Sequence, residues 1–139
     1  MTENSQASKT LLPEGWKRPK GYANGIAATG RFVFTAGVVG WTAEEKFERK
    51  DFAGQFEQTL RNIVAILNEG DARPEHIVRM TCYVTDKRAY LDSLEAVGAA
   101  WREILGRVFP CMAVVEVSAL VEDDALLEIE ATAVVPTDA

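Results

Sequence analysis

From Asp51 to about Glu69 the apolar residues of this chain repeat at the period of a helix, while the stretches on either side favour strands. Phe52, Phe56, Leu60, Ile63, Val64 and Leu67 fall at i, i+4, i+8, i+11, i+12 and i+15, one stripe along a helix. Asp51 suits the N-cap and Gly70 the stop. A stripe of this length must be buried against a broad apolar surface, which confines the chain to folds that supply one.

The flanking segments provide that surface. A strand is expected near Tyr22–Ala28, then a Thr29-Gly30 turn and a second strand over Arg31–Val39, rich in β-formers at Phe32, Val33, Phe34 and Thr35. The two-residue, Gly-containing connection predicts a hairpin. The polar stretch 42–50 reads as a loop or short edge strand. After the helix, Ile77–Thr85 reads as a strand with Val78, Met80, Cys82 and Val84 on one face. A second helix is predicted over about Lys87–Leu105, aligning Leu91, Leu94, Val97, Trp101 and Leu105 and ending at Gly106. Strands at Ala113–Leu120 and Ala125–Val135 follow, separated by the acidic turn Glu122-Asp123-Asp124. The order ββ-α-β-α-ββ implies an α+β domain over residues 15–139, two helices covering one face of a mixed sheet. Residues 1–14 are polar and are expected to form a flexible arm.

Several strands are apolar on both sides: Phe32-Val33-Phe34, Val114-Val115 and Ala133-Val134-Val135. A sheet covered on one side only alternates apolar and polar. Two helices cover one side, so the other is expected to meet a second copy of the chain, and a homo-oligomer is predicted.

Charge narrows the function classes. With 21 acidic against 15 basic residues the net charge is −6, which argues against nucleic acid as a main partner. The one basic cluster, Lys17, Arg18 and Lys20, reads as a solvated approach to the fold. No run approaches the ~20 apolar residues that cross a bilayer, so no membrane partner is expected. Residues 1–12 lack the apolar segment of a signal peptide, and Cys82 and Cys111 form no disulfide framework, so a reducing cytoplasm is expected. The lone His76 and the scattered acids show no ligand spacing, so neither a metal nor another cofactor is expected.

Five segments in order, Gly21-Tyr22-Ala23, Val33-Phe34-Thr35-Ala36-Gly37, Gln58-Thr59-Leu60-Arg61-Asn62-Ile63, Ile77–Asp86 and Leu127-Glu128-Ile129-Glu130-Ala131, resemble the RidA/YjgF family, also called endoribonuclease L-PSP. The resemblance covers about residues 20–135. It implies a chorismate-mutase-like fold, a homotrimer with clefts between neighbouring subunits, and hydrolysis of reactive enamines and imines such as 2-aminoacrylate to a keto acid and ammonia.

The resemblance also assigns roles. Glu128 matches the glutamate that works with the attacking water, Gly37 the backbone N–H that binds a substrate carboxylate, and Tyr22 the cleft hydroxyl. Met112 stands where the family usually carries its carboxylate-binding arginine, Val38 where glutamine is common and Leu94 where asparagine is common. The family's cysteine position aligns with Val114, and Cys111 sits earlier. A bidentate arginine–carboxylate pair is replaced by a soft apolar surface. Losing such a contact costs about 1.5–3 kcal/mol, so poor activity on 2-aminoacrylate is expected.

Residue by residue, plainer readings stand beside these. Glu130, two positions from Glu128 on the same strand face, reads as structural, with Arg79 across a subunit interface as a partner. Tyr22 reads equally as a packed aromatic and Gly37 as a strand bulge. Cys111 reads as inert in the absence of a neighbouring histidine. Arg102 and Arg107 read as solvated helix-surface residues rather than substitutes for the missing arginine. Two functions remain open: a hydrolytic deaminase, or related small-molecule hydrolase, whose substrate presents an apolar group to Met112, Val38 and Leu94, and a non-catalytic trimer that binds a small ligand or a protein partner. Ribonuclease activity ranks lowest on charge.

Overall fold

The computed structural model describes residues 8–137. Six strands and three helices form an α+β architecture: β1 (Ser8–Leu11), β2 (Gly25–Ala28), β3 (Arg31–Phe34), α1 (Phe52–Glu69), β4 (Ile77–Val84), α2 (Lys87–Asp92), α3 (Leu94–Ile104), β5 (Cys111–Glu116) and β6 (Leu127–Val135), with a single 3₁₀ turn at Pro74–His76. The main sheet runs β3-β6-β4-β5. β4 and β5 are parallel, joined by the α2–α3 crossover that a parallel pair requires. β6 is antiparallel to both of its neighbours.

The α1 stripe packs as its period requires. Phe56, Leu60, Ile63 and Leu67 are buried against Met80, Cys82 and Val84 of β4 and Leu127, Ile129, Ala131 and Ala133 of β6. Each large side chain so buried contributes about 1.5–3 kcal/mol, so this seam anchors the domain. Gln55 is the polar member of the seam. Its Nε2 donates to the carbonyls of Arg49 (3.1 Å) and Asp124 (2.9 Å), and its Oε1 accepts from the Leu126 N–H (2.8 Å). One buried amide thus pins α1 to the loop before it and to the turn that feeds β6.

Several expected boundaries move. The arm expected over 1–14 contains β1 at Ser8–Leu11, and the remainder of that expectation, residues 1–7, lies outside the described residues. β2 pairs antiparallel with β1, and β3 pairs with β6, so the expected β2–β3 hairpin is not formed. The segment read as a strand from Tyr22 becomes regular only at Gly25; before that, Ala23 makes one isolated parallel bridge to Cys111.

The second helix is two. α2 ends at Asp92, where the Ser93 hydroxyl donates to the Ala89 carbonyl (2.7 Å), and α3 restarts at Leu94. A serine bonding back onto the preceding turn competes with the helical ladder. The break leaves Leu91 and Leu94 exposed while Val97 and Leu105 stay buried. α3 ends as the sequence indicates: Gly106, at φ +82°, donates to the carbonyls of Trp101 and Arg102.

The expected strand Arg31–Val39 is interrupted by a bulge. The Thr35 N–H donates to the Ala131 carbonyl (2.9 Å) and the Val38 N–H to the Ile129 carbonyl (2.8 Å), so Ala36 and Gly37 together oppose the single residue Glu130. The Thr35 hydroxyl holds the distortion, accepting from the Ala131 N–H (3.0 Å) and donating to the Ala36 carbonyl (2.8 Å).

The sheet face turned away from the helices is only partly covered. Phe32 and Phe34 on β3 are 54% and 65% exposed, their ring centroids 5.9 Å apart, and Val115 on β5 is 41% exposed. The doubly apolar strands therefore leave large apolar side chains in solvent within one chain.

Candidate active site

The residues proposed from the sequence fall in two places, on opposite faces of the main sheet. On the outer face, Glu128 of β6 stands opposite Tyr83 of β4. Its half-buried carboxylate lies against Gly37, so closely that a Cβ on Gly37 would overlap it. The bulge explains the contact, because it lifts Gly37 out of the ladder and toward the carboxylate. Among the described residues, no hydrogen bond uses the Gly37 N–H. The close approach that requires glycine here is made by a side chain of the chain itself.

Glu130, also on this face, accepts a hydrogen bond from the Tyr83 hydroxyl (2.9 Å). That bond raises the Tyr83 pKa above its ordinary value. Glu130 thus has its partner within the chain. Arg79 lies near it, beside Phe34, Thr35 and Thr81 in a small surface depression, with no ion pair among the described residues.

The second place is a cleft of about 670 Å³ on the helix side of the sheet. Met112 and Val114 of β5 form one wall, and Leu94, Val97 and Trp101 of α3 another. Tyr22 closes it from the segment before β2. Met112 pairs with Met80, whose side chain faces the core, and this register turns Met112 away from Glu128. A single chain therefore brings together Met112, Leu94 and Tyr22, and separately Glu128 and Gly37. Val38 joins neither group. It is buried in the core, 8% exposed, and exchanges backbone hydrogen bonds with Ile129.

The cleft contains more than the sequence reading placed there. Tyr90 lines it, half-buried, its pKa raised by desolvation. The Trp101 indole N–H is taken by the Val108 carbonyl (2.9 Å), so the ring offers the cleft an apolar surface. Arg102, Arg107 and Lys20, read from the sequence as solvated, all line it. Spacing held the signal for Arg102: Leu94, Val97, Gly98, Trp101 and Arg102 form one i, i+3, i+4, i+7, i+8 stripe on α3.

The cysteines differ. Cys82 is buried in the core, and burial pushes its pKa to about 12. Cys111 is half-buried on β5 in register with Arg79. His76 lies elsewhere, its Nδ1 accepting from the Arg73 N–H (2.9 Å). Among the described residues no cluster of three or more His, Cys, Asp or Glu is placed to hold a metal ion, and no helix is long and apolar enough to cross a membrane.

Comparison with known proteins gives a consistent picture. Residues 16–135 match the family model described as Endoribonuclease L-PSP. A RutC family protein of Pyrococcus abyssi is 30% identical over 128 residues, covering 91% of this chain and 97% of that protein. Among solved structures, YyfB from Yersinia pestis, of the conserved Rid protein family, superposes with a TM-score of 0.81 at 27% identity, over 93% of this chain and 99% of its own. The YjgF gene product of E. coli does so with a TM-score of 0.64 at 29% identity, over 91% and 98%.

Proposed function

This chain belongs to the endoribonuclease L-PSP family, the RidA/YjgF proteins, and from that premise we propose that it is a hydrolytic deaminase of an imine or enamine whose body is apolar. The observation that carries the reading is the contact of Glu128 with Gly37: a half-buried carboxylate lies against a bulged glycine whose N–H makes no hydrogen bond among the described residues. An acceptor for a water proton and a donor for a polar substrate atom are the modest equipment this reaction needs.

A protonated imine is electrophilic at carbon. Water adds there while Glu128 takes its proton, giving a carbinolamine. Glu128 passes that proton to nitrogen, the C–N bond breaks as the hydroxyl proton returns to Glu128, and ammonia leaves with the carbonyl compound as second product, taking the proton away as ammonium and restoring the carboxylate. Positioning of the two reactants lowers the barrier further. Glu128 is the proposed catalytic residue, with Gly37 positioning substrate beside it.

Substrate choice follows from the cleft. Met112, Leu94 and Tyr22 form a surface for an apolar group, whereas the small carboxylate of 2-aminoacrylate meets no cation at position 112 and is desolvated without a partner there. Val38, buried in the core, shapes the bulge from beneath. Since Glu128 and Met112 occupy opposite faces, the complete site needs the outer face of one subunit against the cleft of the next. A homotrimer closed through the exposed Phe32 and Phe34 provides this.

The test is Glu128→Gln assayed by ammonia release from imines generated in situ by an amino-acid oxidase acting on leucine or phenylalanine. Turnover is expected to fall at least a hundredfold, in the range of general acid–base contributions, with product binding retained. Unchanged turnover in this variant, above the spontaneous rate, rules the reading out.

A further inference from the structure

The chain carries an excess of acid, yet the residues lining the 670 Å³ cleft include three cations, Lys20, Arg102 and Arg107, and no carboxylate. Arg49, Arg61, Arg73 and Arg88 each face an acid, and among the described residues Arg18, Arg31 and Arg79 face none. Among the described residues, Arg102 and Arg107 have no such partner. They stand at the edge of a surface whose remaining members are mostly apolar or aromatic.

Gly98 lies beside the Arg102 guanidinium. A glycine inside a helix is destabilising relative to alanine, and Gly98 lies in the middle of α3. A Cβ there would come within 3.3 Å of the Arg102 Nη1 and within 4 Å of no other group outside the helix backbone. The glycine leaves room for the guanidinium to lie back along the helix over the cleft. Tyr90 lines the same cavity and brings a phenol to its wall.

We propose that this cleft binds a carboxylate with an aryl or branched-alkyl body, the body against Met112, Trp101 and Val97 and the carboxylate held at the mouth by Arg102 with Arg107. This deepens the deaminase reading by naming the class of its substrate, and it rests on the assignment of the cleft to the substrate's body. The cation sits at the mouth rather than at position 112, so the site selects acids long enough to span the apolar wall. Acetate-sized anions reach the arginines but leave the wall empty.

Calorimetric titration of the full-length protein tests this without turnover. The probes are 3-phenylpropionate, its uncharged isostere 3-phenylpropionamide, and acetate. The carboxylate is expected to bind about tenfold more tightly than the amide at low salt, an advantage shrinking as ionic strength rises, and acetate is expected not to bind at millimolar concentration. Arg102→Gln combined with Arg107→Gln should remove the carboxylate's advantage and leave amide binding intact. Gly98→Ala should raise the melting temperature yet weaken carboxylate binding, an opposition that loss of structure does not produce. Equal affinity for acid and amide, no binding of either, or an unchanged advantage in the double variant overturns the proposal. Turnover separates the two readings: carboxylate binding with no imine hydrolysed by the wild type removes the deaminase and leaves the site. Imine turnover indifferent to the double arginine variant removes the site and leaves the deaminase.

Discussion

The carboxylate of Glu128 occupies the space that a side chain at Gly37 would fill. The two residues are 91 positions apart and meet because a bulge sets Ala36 and Gly37 against Glu130 alone. Gly37→Ala must therefore push the carboxylate aside. The displaced group is the flexible end of a side chain, so the stability change is expected to stay below about 1.5 kcal/mol, while imine turnover falls toward that of Glu128→Gln. Urea unfolding and ammonia release on the same preparation check both halves. Full activity in Gly37→Ala contradicts the assignment.

Gln55 yields a stability prediction. Gln55→Leu keeps the volume of the side chain but orphans the carbonyls of Arg49 and Asp124 and the N–H of Leu126. Each buried group left unpaired costs about 1–3 kcal/mol. A loss of at least about 2 kcal/mol is expected in the unfolding free energy from urea titration, and a change under about 0.5 kcal/mol contradicts the role given to this amide.

Cys82 and Cys111 separate by chemistry. Burial raises the Cys82 pKa from its ordinary 9.0 to about 12, so the folded state holds a proton that the unfolded chain releases. The stability this contributes is complete below pH 9 and declines as pH rises toward 12. At pH 8 Cys82 should be silent to a thiol reagent until the protein is denatured. A native thiol titre that drops on Cys82→Ser contradicts this.

Phe32 and Phe34 form an exposed aromatic pair on the sheet face away from the helices. Phe34→Glu places a charge in the proposed subunit interface, where burial without a partner is costly. Light scattering is expected to show a trimer for the wild type and monomer for the variant, with unchanged helical circular dichroism. A monomeric wild type at micromolar concentration removes the assembly from the account.

Legibility in the sequence followed the range of the interactions. The α1 stripe was legible because burial of Phe56, Leu60, Ile63 and Leu67 follows a local period. The family was legible because its segments survive as short strings, and the α+β class followed from the order of elements. What misled was decided at a distance or by one side chain. β2 took β1 rather than β3 as partner, Ser93 split a helix by bonding to Ala89, and the Thr35 hydroxyl helped turn a strand into a bulge. The site showed the same limit. Resemblance placed Glu128, Gly37, Tyr22, Leu94 and Met112 on one roster, but face alternation along β5 and β6 divides them between two sides of the sheet. Val38 faced the core, and Arg102 entered the cleft only once α3 was seen to point its Leu94–Trp101 stripe there.

The most direct measurement is the ratio of kcat/KM for the imine of phenylalanine to that for 2-aminoacrylate, both generated in situ and followed by ammonia release. With Met112 in place of a cation and an apolar cleft around it, the ratio is predicted to exceed about ten, the lower end of what one charge-assisted contact is worth. A ratio of one or below contradicts the account.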